Sequence, residues 1–241
     1  MTAVNYICDT RISCPICGNS DHFDTVNNRE NARCRVCLSM ERTRLLYLIL
    51  QKMEIIKAGI RVLHIAPEAG LRHRLYQILG DNYHACDFDI ERYDNKISPL
   101  YPIDLCHDIQ RFPSNIFDVI IHNHVIEHLP VPLAGVFWHL QRILKPGGHH
   151  FFTIPIVKGW TTEDINESDP QVRTQRFLQH DHYRLFGTED TVSLIKQWTN
   201  YNDPTINVRN FLSEYEVVNA GIPINEAYSD IGPMTPFLVR K

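Results

Sequence analysis

The chain has 241 residues, of which 44% are hydrophobic and 22% charged, with a net charge of −4. This length suits one or two domains, and the composition is that of a soluble globular protein. The acidic balance argues against a broadly basic nucleic-acid-binding face. No apolar run approaches the roughly 20 residues of a membrane span, and the first residues lack the apolar core of a signal peptide. We therefore expect a cytoplasmic protein with no membrane partner.

Two cysteine pairs lie near the N-terminus. The motif Cys14-Pro-Ile-Cys17 is followed, after residues 18–33, by Cys34-Arg-Val-Cys37. Each CxxC turn directs two thiolates at one ion, and two such turns complete a tetrahedral zinc site. All four positions are cysteine, so the site is closed and structural. The sequence thus predicts a small zinc-binding module over residues 1–39, and Cys8, Cys86 and Cys106 are expected to be ordinary buried thiols.

From residue 40 onward, helical and extended patterns alternate. One long helix is predicted over 40–59. The further helices are predicted at 71–79, 133–144 and 187–198, and the strands at 61–66, 82–88, 117–123, 149–156, 215–222 and 235–241. Strands that alternate with helices imply a parallel sheet with helical crossovers. We predict an α/β class: a Rossmann-like, doubly wound, mainly parallel sheet over residues 40–241.

Residues 157–186 interrupt this alternation. They are polar and rich in His, Asp, Gln and Arg, and they show no regular apolar spacing. A long insertion of this kind in a compact domain is typical of a functional lid.

The first strand–turn–helix of the domain, RVLHIAPEAGLRHRL, stands where a doubly wound sheet meets a cofactor. About twenty residues later, Asp87 ends the second predicted strand. A carboxylate at that position can accept both hydroxyls of a ribose, and Asp89 is the close alternative.

The block FPSNIFDVIIHNHVIEHLPVPLAGVFWHLQRILKPGGHHFFTIP, residues 112–155, resembles the class I S-adenosylmethionine-dependent methyltransferases. It carries that family's FP-x-x-x-FD, V-x-EH and R-x-LKPGG signatures in order. The resemblance covers about residues 60–156. The paired cysteines followed by E-R-x-R-L-L, with the later DHYRLFG, are similar to a bacterial subgroup that carries a zinc knuckle.

The resemblance implies roles for particular residues. It makes the turn from His64 to Gly70 the loop that binds the methionine part of the cofactor, and Asp87 the ribose ligand. Asp108, or less favourably Asp104, becomes the contact to the adenine amino group. Asn123 and His124 end the fourth strand beside the reactive methyl group.

The loop departs from the family pattern, acidic-x-G-x-G-x-G. The aligned residues are His64, Ala66, Glu68 and Gly70, so only the last glycine is kept. One interpretation is that Glu68 engages the amino end of the cofactor. Another is that Glu68 opens the following helix, favoured by the helix dipole. In a third, the chain no longer binds the cofactor.

Histidines supply the candidates for proton transfer. If the methyl acceptor is a hydroxyl, a general base is needed, and histidine suits that role near neutral pH. His124 is the first candidate, for its place near the transferred methyl group, and His182 in the lid is the second. His128 could organise the helix start or contact substrate. His180, Tyr183 and Arg184 in the lid are further substrate contacts, although Arg184 could instead pair with Asp181 or Glu189.

Three functions remain in competition. The first is methyl transfer to a small-molecule or sugar-like acceptor, with O-methylation among the options. The second is an RNA methyltransferase that docks RNA on the zinc module, motivated by five arginines at positions 29, 33, 35, 42 and 44. The third is a non-catalytic binding protein on a degenerate methyltransferase fold, motivated by the altered glycine loop.

Overall fold

The computed structural model describes residues 12–20, 22–94 and 96–241. The N-terminal stretch examined for a signal peptide, Cys8 and part of the predicted zinc module lie outside the described residues. Within these ranges, none of the helices has both the length and the apolar character needed to cross a membrane.

Eleven strands and seven α-helices are described. The strands are β1 (Phe23–Val26), β2 (Arg29–Cys34), β3 (Val62–Ile65), β4 (Tyr83–Asp87), β5 (Leu100–Pro102), β6 (Phe117–Asn123), β7 (Leu144–Thr153), β8 (Ile156–Val157), β9 (Thr162–Glu163), β10 (Arg184–Gly187) and β11 (Phe237–Arg240). The helices are α1 (Glu41–Lys52), α2 (Ala69–Leu79), α3 (Leu133–Ile143), α4 (Pro170–Phe177), α5 (Thr191–Thr199), α6 (Glu214–Asn219) and α7 (Ile224–Ala227).

A six-stranded sheet in the order β11-β7-β6-β3-β4-β5 forms the centre of the molecule. Its strands pair in parallel except β11, which runs antiparallel to β7. Successive residues of β3 point to opposite faces. Val62 lies in one apolar cluster with α1 and α2, and Leu63 lies in another with α3. Both faces are therefore covered, which confirms the predicted Rossmann-like, doubly wound, mainly parallel sheet.

The sheet has its topological switch point between β3 and β6. From β3 the chain moves outward to β4 and β5, then returns to place β6 on the other side of β3. Loops that follow these two strands diverge to opposite faces and leave a crevice at the carboxyl ends. That crevice is where a ligand site is expected.

We name residues 12–40 the cysteine hairpin. Strands β1 and β2 pair antiparallel through a turn at Asn27 and Asn28, whose φ angles are 50° and 60°. A two-residue turn with positive φ at both positions matches the twist of the strands, and asparagine tolerates it. Its buried Cys14 and Cys34 share one apolar cluster with Leu45 of α1. Because the core is continuous, the domain boundary near residue 39 remains a proposal.

Arg44 fixes the cysteine hairpin to the rest of the chain. Its guanidinium is fully buried and donates to five backbone carbonyls. The acceptors belong to Asn31, Ala32, Ser39, Ala220 and Gly221, at 2.7–3.1 Å. All five donors of the planar guanidinium are thus used, which a lysine could not reproduce.

The end of one predicted helix and the type of one predicted element were wrong. The first helix stops at Lys52 and not near residue 59, because Glu54 adopts a left-handed φ of 52°. The predicted strand over 215–222 is largely the helix α6. Ser213 and Glu216 form a reciprocal capping box there, which satisfies donors at the helix start and outweighs the apolar strand-like pattern.

The predicted lid, residues 157–186, is more regular than its sequence indicated. It contains helix α4 and most of a three-stranded sheet in the order β8-β10-β9. Strands β8 and β9 have only two residues each, too few for a periodic signal. In α4 only Phe177 is buried, so no apolar stripe marks the helix.

Candidate active site

The four predicted zinc ligands converge. The Sγ atoms of Cys14 and Cys37 are 3.6 Å apart, and those of Cys17 and Cys34 are 3.7 Å apart. All four sulfurs lie within 4.8 Å of one another. A tetrahedral zinc with bonds of about 2.3 Å separates its sulfurs by about 3.8 Å, so the cluster could hold a structural zinc ion.

The cluster of four cysteines touches the first turn of α2 through Gly70. A Cβ at Gly70 would lie 2.7 Å from the carbonyl oxygen of Cys37 and 2.9 Å from its Sγ. Any larger residue would push the cluster away from α2. The glycine that was assigned to the cofactor loop therefore also permits close packing of the cysteine hairpin.

A cleft of about 360 Å³ opens at the switch point. It lies between the loop after β3, the loop after β6 and the lid. Its lining residues are Arg42, Ala66, Pro67, Glu68, Arg92, Tyr93, Asn123, His124, Glu127, His128, Gln179 and His182. The structure thus brings together Ala66, Glu68, Asn123, His124, His128 and His182 of the predicted site.

Glu68 is held at the floor of the cleft. Its Oε1 accepts hydrogen bonds from the Asn123 amide at 2.9 Å and from the Thr43 hydroxyl at 3.1 Å. Its Oε2 lies 3.4 Å from Nε2 of the buried His64, whose Nδ1 is 2.8 Å from the Tyr83 hydroxyl. Glu68 is the N-cap of α2, yet its side chain makes no capping bond. The side chain thus turns to the cleft, and His64 supports it from below.

The pKa of Glu68 predicts a pH-dependent stability. Burial raises this pKa, but attraction to His64 and Arg42 outweighs burial and lowers the pKa from 4.5 to about 2. The carboxylate therefore stabilises the fold above pH 4.5, and this contribution is lost as the pH falls towards 2. Denaturant unfolding should show Glu68→Gln about 2 kcal/mol less stable than wild type at pH 6. The difference should shrink as the pH falls below 4.5 and disappear only near pH 2.

The exposed Glu91 supplies the matched control for this experiment. Glu91→Gln should follow the wild-type pH profile throughout. A Glu68→Gln profile parallel to that of wild type between pH 6 and pH 3 would contradict the assigned ion contact.

Two residues at the cleft have left-handed backbones. Ala66 after β3 has φ 50°, and His124 after β6 has φ 52°. Ala66 stands where the resembled family has a glycine, and its φ shows why glycine is favoured there. Non-glycine residues in this region carry strain of order 1–2 kcal/mol, which is characteristic of functional loops.

Asp87 ends β4 and is 5% exposed. Its Oδ2 accepts from the Tyr93 hydroxyl and from Arg92, both at 2.5 Å, and its Oδ1 accepts from the Asp89 amide. Arg92 and Tyr93 line the cleft, so they cover Asp87 on its cleft side. Next to Asp87, the ring of Phe88 is 77% exposed. Phe88 was not predicted from the sequence as a candidate cofactor contact, although an aromatic residue directly after the predicted ribose ligand could have indicated one.

Asp108 lies apart from the cleft lining. Its Oδ2 accepts from the Asp104 amide, and its Oδ1 pairs with Arg111 at 2.7 Å. Asp104 in turn pairs with His107 at 2.7 Å. The predicted adenine contact at Asp108, and the alternative at Asp104, therefore remain predictions.

His124 and Glu127 meet at the wall of the cleft. Nδ1 of His124 is 3.5 Å from Oε1 of Glu127. Burial, together with the charge of Arg42, lowers the pKa of His124 well below its usual value, so the ring is neutral at pH 7. Burial raises the pKa of Glu127 to about 8. Sequence reasoning treated Glu127 only as part of the V-x-EH motif, because the motif does not show that its carboxylate is enclosed.

The lid brings His182 against His128. Their ring centroids are 4.6 Å apart, with the planes at 80°. His180 is exposed, and Tyr183 lies beneath the guanidinium of Arg173 at 4.7 Å. Neither His180 nor Tyr183 is among the residues that line the cleft, so their predicted substrate contacts remain predictions.

Arg184 lies behind the cleft. Its guanidinium is fully buried and donates to the carbonyls of Ile126, Leu129 and Val131, and it pairs with Glu163 at 2.6 Å. It pairs with neither Asp181 nor Glu189, the partners suggested by the sequence. In this arrangement Arg184 fixes the loop that carries Glu127 and His128, and it is not among the residues that line the cleft.

Most of the five N-terminal arginines are engaged within the protein. Arg33 and Arg35 both pair with Asp24, Arg29 pairs with Glu41, and Arg44 is buried. Arg42 alone among them lines the cleft. Its place in the first turn of α1, beside the loop after β3, could be found only from the fold.

Fold and site together define a doubly wound α/β domain with a cleft at its switch point. An acidic residue ends the second central strand, and an exposed aromatic ring follows it. The family model of the methyltransferase domain matches residues 32–202 of the sequence, and the chain belongs to this family. S-adenosylmethionine is the cofactor of such enzymes, and the protein is an S-adenosylmethionine-dependent methyltransferase.

Solved structures show the same fold. One is a SAM-dependent methyltransferase from Archaeoglobus fulgidus, with a TM-score of 0.52 and 16% identity, covering 83% of this chain and 94% of that one. Another is an S-adenosylmethionine-dependent methyltransferase from Mesorhizobium loti, with a TM-score of 0.53 and 14% identity, covering 82% and 98%. A search of curated proteins found no significant match.

Proposed function

We propose that the protein transfers a methyl group from S-adenosylmethionine to a hydroxyl of a small-molecule or sugar-like acceptor. The observation that carries this proposal is the small cleft at the switch point, closed on one side by the lid and lined by His124, His128 and His182. The space suits a compact polar acceptor better than a polymer.

The described residues fit the cofactor in three places. Asp87 offers a carboxylate to the ribose hydroxyls when Arg92 and Tyr93 move aside. The exposed ring of Phe88 offers a face on which a purine can stack. Glu68 and Arg42, one anionic and one cationic, line the same cleft and match the ammonium and carboxylate of the methionine part.

The cofactor supplies a methyl group already activated on a sulfonium sulfur, so the protein's contribution is alignment, exclusion of water and removal of the acceptor proton. Alignment alone can supply several kcal/mol of the barrier. Asn123 is fixed between Glu68 and the Thr153 hydroxyl at 2.9 Å and 2.8 Å, which holds the end of β6 rigid. The next residue, His124, is neutral and can accept a proton from the acceptor hydroxyl. His182 is the second candidate for this role.

The charges of the cysteine hairpin argue against RNA as the acceptor. RNA binding depends on cations that are free to meet phosphates. Arg29, Arg33 and Arg35 are each paired with a carboxylate. The hairpin therefore supports the fold of the cofactor site, and we do not propose it as an RNA-docking surface.

Calorimetry with S-adenosylhomocysteine, the product form of the cofactor, tests the proposal. The zinc-loaded protein should bind one equivalent with a Kd in the micromolar range, about −8 kcal/mol, and should not bind ATP measurably. Absence of S-adenosylhomocysteine binding at millimolar concentration would favour the degenerate binding protein. RNA binding that weakens steeply with salt would instead favour the RNA methyltransferase.

A further inference from the structure

Three potential ligands for a metal ion meet at the lid side of the cleft. Glu127 and His128 belong to the short helical turn Ile126–His128, and His182 follows α4 in the lid. One ligand atom from each residue lies within 4.8 Å of the other two. This cluster is separate from the four cysteines.

Glu127 has an enclosed carboxylate that nothing in the described residues satisfies. The side chain is 0% exposed, and neither oxygen has a hydrogen-bond partner among the described residues. Two ring nitrogens lie near its Oε1, Nδ1 of His124 at 3.5 Å and Nε2 of His128 at 3.9 Å. Leaving both oxygens of a buried carboxyl group without a hydrogen-bond partner is costly whether the group is protonated or ionised, so a partner for it is expected in the functional protein.

The two histidines are oriented to offer lone pairs. Nδ1 of His128 faces the Asp181 carboxylate at 3.2 Å, and Nδ1 of His182 faces the Phe177 carbonyl at 3.1 Å. Both partners only accept, so each Nδ1 carries the hydrogen, and each Nε2 is left with a free lone pair. Histidines that ligate metals are held in this way by a carboxylate or carbonyl behind the ring.

We propose that Glu127, His128 and His182 bind a divalent transition-metal ion in the cleft. Two imidazoles and one carboxylate suit ions such as Fe²⁺, Co²⁺ or Zn²⁺ and leave coordination positions open. Arg42 and Arg92 line the same cleft, but Glu68 and Asp87 lie against them and offset their charge.

The use of this ion rests on the proposed function. An acceptor oxygen bound to the open positions would lose its proton more readily, since a divalent ion lowers the pKa of a bound hydroxyl. His182 would then serve as a ligand, which leaves His124 as the proton acceptor.

Calorimetric titration of Co²⁺ into protein that carries one equivalent of zinc, held by the four cysteines, tests the site. The cysteine cluster is already filled, so one equivalent of Co²⁺ should bind without release of zinc, which is followed by metal analysis of the flow-through. Glu127→Gln and His182→Ala should each weaken Co²⁺ binding at least tenfold. His73→Ala removes an exposed histidine on α2 and should leave the Co²⁺ affinity unchanged.

Either of two results would overturn the proposal: no Co²⁺ binding by wild type, or equal binding by wild type and a correctly folded Glu127→Gln. Thermal unfolding identifies any variant that misfolds. If Glu127→Gln misfolds, the Co²⁺ affinity of His182→Ala tests the proposal instead. S-adenosylhomocysteine binding is measured on the same samples. Protein that binds S-adenosylhomocysteine but not Co²⁺ contradicts the metal site alone, and the reverse pattern contradicts the proposed function.

Discussion

Cys34→Ser is expected to abolish zinc binding and, with it, binding of S-adenosylhomocysteine. Cys34 is fully buried, and its Sγ lies within the cluster of four sulfurs. A structural zinc site contributes on the order of 10 kcal/mol, comparable with the whole stability of a domain. The variant should therefore lose the fold of the cysteine hairpin.

The loss should reach the cofactor cleft through two contacts. Cys37 packs directly on Gly70 in the first turn of α2, and Thr43 of α1 donates to the Glu68 carboxylate at 3.1 Å. When the hairpin unfolds, the start of α1 and the loop after β3 lose their support. Metal analysis should give less than a tenth of an equivalent of zinc, and calorimetry should detect no S-adenosylhomocysteine binding.

Cys106→Ser is the matched control. Cys106 is partly exposed and lies outside the cluster, so this variant should keep one equivalent of zinc and a wild-type melting temperature. A Cys34→Ser protein that melts as wild type and still binds zinc would show that the cluster has another role.

Asp87→Asn is expected to weaken S-adenosylhomocysteine binding by about 30- to 100-fold. A charged hydrogen bond contributes about 1.5–3 kcal/mol, and two such bonds to the ribose would contribute more. In the free protein, however, the same carboxylate accepts from Arg92 and Tyr93, so the cofactor exchanges these bonds for its own. The net loss is therefore about 2–3 kcal/mol.

Asp89→Asn separates the two aspartates that the sequence left as alternatives. Asp89 is exposed and caps the short turn Ile90–Arg92 by accepting from the Glu91 amide at 3.1 Å. Replacement of Asp89 should change the calorimetric Kd for S-adenosylhomocysteine by less than threefold. If Asp89→Asn has the larger effect, the ribose contact belongs to Asp89.

The central sheet could be predicted because its strands are buried on both faces. The strand predicted from the run FDVIIHN at 117–123 has the same first and last residues as β6, and six of its seven residues are buried. The cluster of four cysteines could also be predicted from the sequence, because the type and spacing of metal ligands are local properties. The helix α6 and the small sheet of the lid could not be recognised, since capping and two-residue pairings leave little periodic signal.

The cleft was only partly predictable, because its residues meet across long stretches of sequence. Asn123 and His124 follow directly from the end of β6, which the apolar run marks. That Glu68 and Asn123 share a hydrogen bond across 55 positions follows only from the neighbouring places of β3 and β6 in the sheet. Arg184 was predicted as a substrate contact because it is a basic residue in a polar lid, and the sequence did not show that protein groups already occupy its guanidinium.

The five-carbonyl cage of Arg44 sets an order of events during synthesis. The cysteine hairpin has all its ligands once Cys37 has left the ribosome, so zinc can bind early. Two of the five acceptors of the guanidinium, the carbonyls of Ala220 and Gly221, lie 176 and 177 positions further along the chain and are synthesised much later. Until they arrive, the cation has only the acceptors of its own hairpin. The packing of the cysteine hairpin is therefore completed only after residue 221 has been synthesised, although its contacts with α1 and Gly70 can form much earlier.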